Sequence, residues 1–242
     1  NNWHGFVTNG GLQNVITSTN SGYLNGQGAG VLSFNVADGS DAVDLLASVS
    51  ITNALISKNG TGTMSVRNST SGSFDLTVDQ GTLDVGGSAT LAGGTYSANL
   101  TTNATFSYSS SANQTISGVI TGTGAITKNA TSTLTLSGVN TYTGATTISA
   151  GTLQISGAGQ LGGGVYNSNI SNNGTLLFAT SANQTLGGVI SGTGNLTWSG
   201  SGTLAVGTNT GSGATTVNSG TLQISGSLSS SALRSEEHTS EL

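Results

Sequence analysis

The carboxylates are the first residues to weigh for chemistry. Asp75 and Asp79 lie in the stretch Ser-Phe-Asp-Leu-Thr-Val-Asp-Gln, and Asp84 follows a Gln80-Gly81 turn. A carboxylate pair hydrolyses glycosides when its members stand about 5–5.5 Å apart for retention, or about 6.5–9.5 Å for inversion. Asp75 and Asp79 share a strand face, but four residues of extended chain separate them by about 13 Å. Asp84 is expected on the next coil, where it could stack beside one of them. Solvated strand-face or turn carboxylates are the plainer reading of all three. A second acidic stretch, residues 37–44, holds Asp38, Asp41 and Asp44 at spacing three. Oxygen-rich loops bind Ca²⁺, yet this one lacks EF-hand spacing and a closing Glu, so a polar turn is expected.

Other chemistry-bearing residues are sparse. His4 is the only His outside the last nine residues, too little for a Ser-His-Asp triad. Lys128 is expected to be a solvated edge lysine rather than a base. Gly-Thr-Gly at 122–124 and 192–194 lacks the following helix that a phosphate cradle needs, so both read as corners. Sequons such as those at Asn99, Asn103 and Asn113 arise readily in a chain so rich in Asn, Ser and Thr. No catalytic residue, cofactor or metal ligand is assigned.

Composition limits the partners. Charged residues make up 5% of the 242, far below the roughly 25% of an ordinary soluble domain. Lys and Arg total 4 against a net charge of -5, which excludes a basic stripe for nucleic acid. There is no Cys, so neither disulfides nor thiolate metal sites can form. No apolar run reaches the roughly 18 residues of a membrane helix. Direct membrane insertion of this segment is therefore not expected.

The elements that must position these residues are announced by repetition. Residues 111–156 read SANQTISGVITGTGAITKNATSTLTLSGVNTYTGATTISAGTLQIS, and residues 181–225 read SANQTLGGVISGTGNLTWSGSGTLAVGTNTGSGATTVNSGTLQIS. Position 111 answers to 181, and after one deletion near 140 position 152 answers to 221. Apolar and polar residues alternate within each short segment, as in Leu134/Leu136, Leu153/Ile155, Leu204/Val206 and Leu222/Ile224. Period two over about five residues means half-buried strands, with Gly, Asn and Ser marking turns. Neighbouring strand starts lie 18 to 28 residues apart, room for about three strands and their corners per coil. The expected fold is all-β, a right-handed parallel β-helix of about ten coils, on the order of 45–50 Å long. Those eight Leu, Ile and Val residues should form a single buried column, with Gln154 and Gln223 outside.

Residues 122–156 resemble the passenger-associated transport repeat of autotransporters. The similarity is dense at Gly122, Thr123, Gly124, Lys128, Leu134, Leu136, Gly138, the run Asn140 to Gly144, and Gly151 to Leu153. The second copy departs from it, with Trp198 in place of Lys128 and Gly-Thr-Asn-Thr-Gly at 207–211. The resemblance implies export, a β-helical passenger at the bacterial cell surface, and a C-terminal outer-membrane barrel as partner. It implies a non-enzymatic stalk supporting secretion and display, with adhesion as a further role. A glycan- or cell-binding Thr/Asn/Ser face is the alternative. Ice binding through ranks of Thr, and a polysaccharide-degrading β-helix, are remote ones.

The chain divides into 1–110, β-helix with irregular coils; 111–225, the two repeat copies; 226–233, the end of the native sequence; and 234–242. The last segment holds all three Glu and resembles a sequencing adapter read in frame. It is expected to lie outside the solenoid, leaving the last coil near 220–225. The chain is expected to be a fragment without its leader and barrel.

Overall fold

The computed structural model describes residues 14–16, 23–25, 31–38, 45–47, 50–52, 55–72, 74–229 and 233–235. Over this range the chain is a parallel β-solenoid of about nine turns. Strands are two to eight residues long, as the short period-two segments require. Helix is confined, among the described residues, to two short 3₁₀ turns at Leu91–Gly94 and Gly162–Gly164.

Each turn visits three faces in order. Face I carries the strands Leu55–Asn59, Leu76–Val78, Leu100–Thr102 and Ile120–Thr121. Face II carries Thr63–Val66, Thr82–Val85, Thr105–Tyr108, Ala125–Lys128, Thr146–Ile148 and Ile170–Asn172. Face III carries Thr95–Tyr96, Gln114–Ile116, Thr133–Leu136, Thr152–Gly157, Thr175–Thr180, Asn195–Trp198 and Thr215–Val217. Farther along, Gln184–Ser191 and Thr203–Asn209 bend round the corner from face I to face II, their register shifting between Leu186 and Val189.

Register puts like on like. Leu134 pairs with Leu153 and Leu153 with Leu176, while Thr135, Gln154 and Leu177 line up on the outside. The inward side chains form one continuous core from Val36 to Val206, with Leu222 and Ile224 partly buried against it. Gln154 is half-buried and Gln223 exposed, so the strands have the expected sidedness.

The eight expected residues share this core, but they do not stack on one face. Leu134, Leu136, Leu153 and Ile155 lie on face III, whereas Leu204, Val206, Leu222 and Ile224 belong to the other large sheet. The cause is a mismatch of periods. Three turns carry Ile126 through Thr146 and Ile170 to Ile190, all on face II. The sequence repeat instead carries Ile126 to Leu196, which is on face III. The repeat thus spans three turns and one face. Ala125–Lys128 is on face II and its counterpart Asn195–Trp198 is on face III.

The far end also differs from expectation. Leu233, Arg234 and Ser235 pair in parallel with Thr215, Thr216 and Val217, and Leu228 bridges to Asn209. Arg234 and Ser235 therefore join the solenoid, because any extended backbone can continue an exposed strand edge whatever its side chains. Residues 236–242 lie outside the described range.

Candidate functional site

The carboxylates do not converge. Asp75 and Asp79 flank the face I strand Leu76–Val78. Asp75 Oδ1 accepts the Asn99 amide at 3.0 Å, and Asp79 Oδ1 accepts Asn103 Nδ2 at 3.1 Å. Asp84 lies on face II instead, stacked between Ser65 and Ser107. The corner at Gln80-Gly81 turns the chain onto the next face within the same coil, so Asp84 does not stack beside either Asp75 or Asp79.

Asp84 is buried and not solvated. Its Oδ2 accepts Ser65 Oγ at 3.0 Å and Ser109 Oγ at 2.8 Å, and Oδ1 accepts Ser107 Oγ at 2.8 Å. Arg67 closes the cluster with an ion pair at 4.0 Å. Three hydroxyls and a guanidinium satisfy the carboxylate and tie three successive turns together. Chemically this is a staple, with no second acid for hydrolysis.

Lys128 corrects the expectation of a solvated edge lysine. Its side chain is completely buried at the inward end of a face II strand. The ammonium lies 5.8 Å from the centre of the Tyr108 ring and donates to the Ala130 carbonyl. Burial lowers its pKa to about 8. Lys58 is buried likewise on face I and donates to the carbonyls of Asn59, Gly60 and Gln80 at 2.9, 2.8 and 3.1 Å. Both lysines satisfy corner carbonyls from inside. Period two carried the signal: Ile126 and Lys128 are two apart, so an inward Ile126 forces an inward Lys128.

Two buried glutamines escaped sequence reasoning. Gln114 Oε1 accepts the Leu91 N–H at 2.7 Å, while its Nε2 donates to the carbonyls of Leu91 at 3.2 Å and Thr115 at 2.8 Å. Gln184 repeats this on Leu161 and Thr185, at 2.8, 3.0 and 3.0 Å. The side-chain amide thus substitutes for a strand backbone where the 3₁₀ kink interrupts the ladder. Identity of the SANQT segments in both copies was the available signal. A further inward polar group is Thr146, whose Oγ1 lies 2.8 Å from both the Tyr142 and Tyr166 hydroxyls. Burial raises the pKa of both phenols.

The corners account for the other motifs. Gly122 and Gly192 take φ +103, and a Cβ there would overlap the carbonyl oxygens of Thr102 and Asn172. The asparagines at corners cap the turn above: Asn99 Oδ1 accepts from Val119 N at 3.3 Å, and Asn113 Oδ1 from Thr133 N at 2.9 Å. Asn-x-Thr is then a corner Asn, an inward residue and an outward Thr, as in Asn99, buried Leu100 and half-buried Thr101. The outward row of face III runs Thr95, Thr115, Thr135, Gln154, Leu177, Thr197, Thr216, so Gln154 and Leu177 interrupt its Thr rank.

His4, Asp41 and Asp44 lie outside the described residues, and so does most of 37–44. Among the described residues no group of three His, Cys, Asp or Glu could hold a metal, and no helix is long and apolar enough to cross a membrane. A cavity lined by Ile56, Phe74, Leu91 and Tyr96 among others has a volume of about 10 Å³, enough for a single water.

Fold and polar network together define a class: a parallel β-solenoid whose polar side chains serve its own corners. The passenger-associated-transport-repeat family matches it twice, at residues 126–155 and 196–224. The chain carries two such repeats, consistent with the passenger region of an autotransporter. No curated protein and no solved structure matches the chain.

Proposed function

We propose that this chain is a length of right-handed β-helical stalk from a secreted, surface-displayed autotransporter passenger, without enzymatic activity. In the full-length protein its partner is a C-terminal outer-membrane barrel. One observation carries the stalk over a binding module: the two transport repeats are offset by one face. A ligand read by a flat face needs the same outward residues on the same side in turn after turn. Here the two copies present their matching residues on different faces, Gln114 with Gln184 for example, and the Thr rank that does form on face III is broken by Gln154 and Leu177. That is the pattern of a repeat that propagates a rod.

The flanking coding sequence tests the reading. A leader upstream and a barrel downstream support it; a soluble enzyme domain fused in frame, with neither, overturns it. Incubation with pectin, cellulose and peptidoglycan should release no product. Turnover that survives purification and is lost in an Asp75/Asp79/Asp84 triple Ala variant would establish an enzyme. Saturable binding of one glycan, lost on replacing outward Thr residues of a single face, would favour the binding module.

A further inference from the structure

Most turns of the solenoid are tight, advancing the chain from Ile116 to Leu136 or from Leu176 to Leu196. From Leu55 onward two turns take in more chain, one from Leu83 to Phe106 and the other from Leu153 to Leu176. The added residues sit at one corner of each, 86–94 and 156–164, and the two corners occupy equivalent positions of the sequence repeat. Residues 91–100 and 161–170 even share their exposure pattern position by position.

Each long corner is pinned on both sides. On the near side, Val85 pairs with Tyr108 and Ile155 with Phe178. On the far side, Leu91 and Leu161 are clamped by Gln114 and Gln184 of the next turn. Between these anchors lies an exposed turn tip, Gly87-Ser88 or Gly157-Ala158, closed by Ala89 N to Gly86 O and Gly159 N to Ser156 O; the glycine carbonyl is its last near-side anchor, accepting Ser111 N or Ser181 N of the next turn. A Cβ on Gly157 would meet nothing within 4 Å, and one on Gly87 would meet its nearest atom at 3.5 Å. Gly122 and Gly124 are different, since a Cβ on either would overlap a carbonyl oxygen of the turn below.

We infer that these two tips are the insertion and display sites of the repeat, positions where extra chain can leave the rod without disturbing the stack. The inference rests on the stalk reading and says where such a stalk carries its cargo. Chain added between two independently anchored ends costs only loop-closure entropy, which grows with the logarithm of loop length. The offset of the repeats adds direction. The first tip leaves the corner between faces II and III, and the second leaves the corner after face III, so successive cargoes project to different sides.

The test places a twelve-residue Gly/Ser-flanked epitope after Ser88, after Ala158 and, as control, after the equally exposed Thr123 in the full chain. Insertions after Ser88 and Ala158 should lower the melting midpoint by no more than about 5 °C. A matching antibody should bind both in the folded protein. Insertion after Thr123 should lower the midpoint by more than twice that or abolish the β circular-dichroism signal. Adding Gln114→Leu should cost more degrees in the Ser88 insertion than in the parent chain, since the far anchor is then gone. Equal tolerance at all three sites, or equal damage, overturns the inference. Neither result bears on the stalk reading, which the flanking gene and the polysaccharide assays decide separately.

Discussion

At the scale of residues, this protein buries two lysines, two glutamines and Asp84 and turns them on its own strands and corners. Lys128 is the clearest case. Its ammonium is sealed against the Tyr108 ring and a carbonyl, with burial holding its pKa at about 8. Unfolded, a lysine titrates near its ordinary value of about 10.4. Between about 8 and 10 the unfolded chain therefore holds more protons than the folded one, and stability should rise with pH across that window. Denaturation midpoints at pH 7 and pH 9, below the range where the buried tyrosines would ionise in the unfolded chain and reverse the trend, check this, and Lys128→Met should remove most of the rise. Because Met fills the same volume without a buried charge, that variant should match or exceed the parent at pH 7. Lys128→Ala should instead cost about 2–5 kcal/mol through the cavity it leaves. Gln114→Leu strands the Leu91 N–H and C=O together, at about 1–3 kcal/mol for each orphaned group. Hydrogen exchange at the Leu91 amide should accelerate with it.

The elements are short strands joined by corners, and the corners carry the geometric constraint. At Gly122 a positive φ coincides with a carbonyl of the turn below, so a side chain meets strain and overlap at once. At Gly157 φ is +63 but the space is open. Gly122→Ala should thus cost well above the roughly 1–3 kcal/mol of an unfavourable backbone conformation alone, whereas Gly157→Ala should stay within that range. Urea midpoints of the two variants make the comparison. Asparagine has a different task at these corners, lending its Oδ1 to an amide of the next turn. Backbone amides that leave a ladder at a corner need some acceptor, and Asn supplies one without adding charge.

Over the whole molecule, stability passes from turn to turn rather than through a closed globule. The phase of the repeat is a property at this scale. Spin labels at Gln154 and Leu177, register partners on face III, should show strong dipolar broadening because adjacent strands lie about 4.8 Å apart. Labels at the equivalent positions of the two copies, Gln154 and Gln223, should not, since they stand on different sheets. A separation of about 14 Å for the second pair, three rungs of a single face, would mean that the sequence repeat closes on a whole number of turns.

Much was legible from the chain alone. Strand sidedness, parallel coils, glycine corners and the transport repeats follow from period two and internal repetition, because both are local properties written in neighbouring residues. Which face each copy occupies, and the separation of Asp84 from Asp75 and Asp79, could not be read from local pattern, because both depend on how much chain one turn consumes, and turn length is set by corner packing against the turn below. The buried Lys128 was legible, since period two turns it inward with Ile126. Tight turns such as Ile116 to Leu136, mixed with the longer ones from Leu83 to Phe106 and Leu153 to Leu176, set the second repeat one face on from the first. Only the stacked structure settles that count, and with it which side chains share a face.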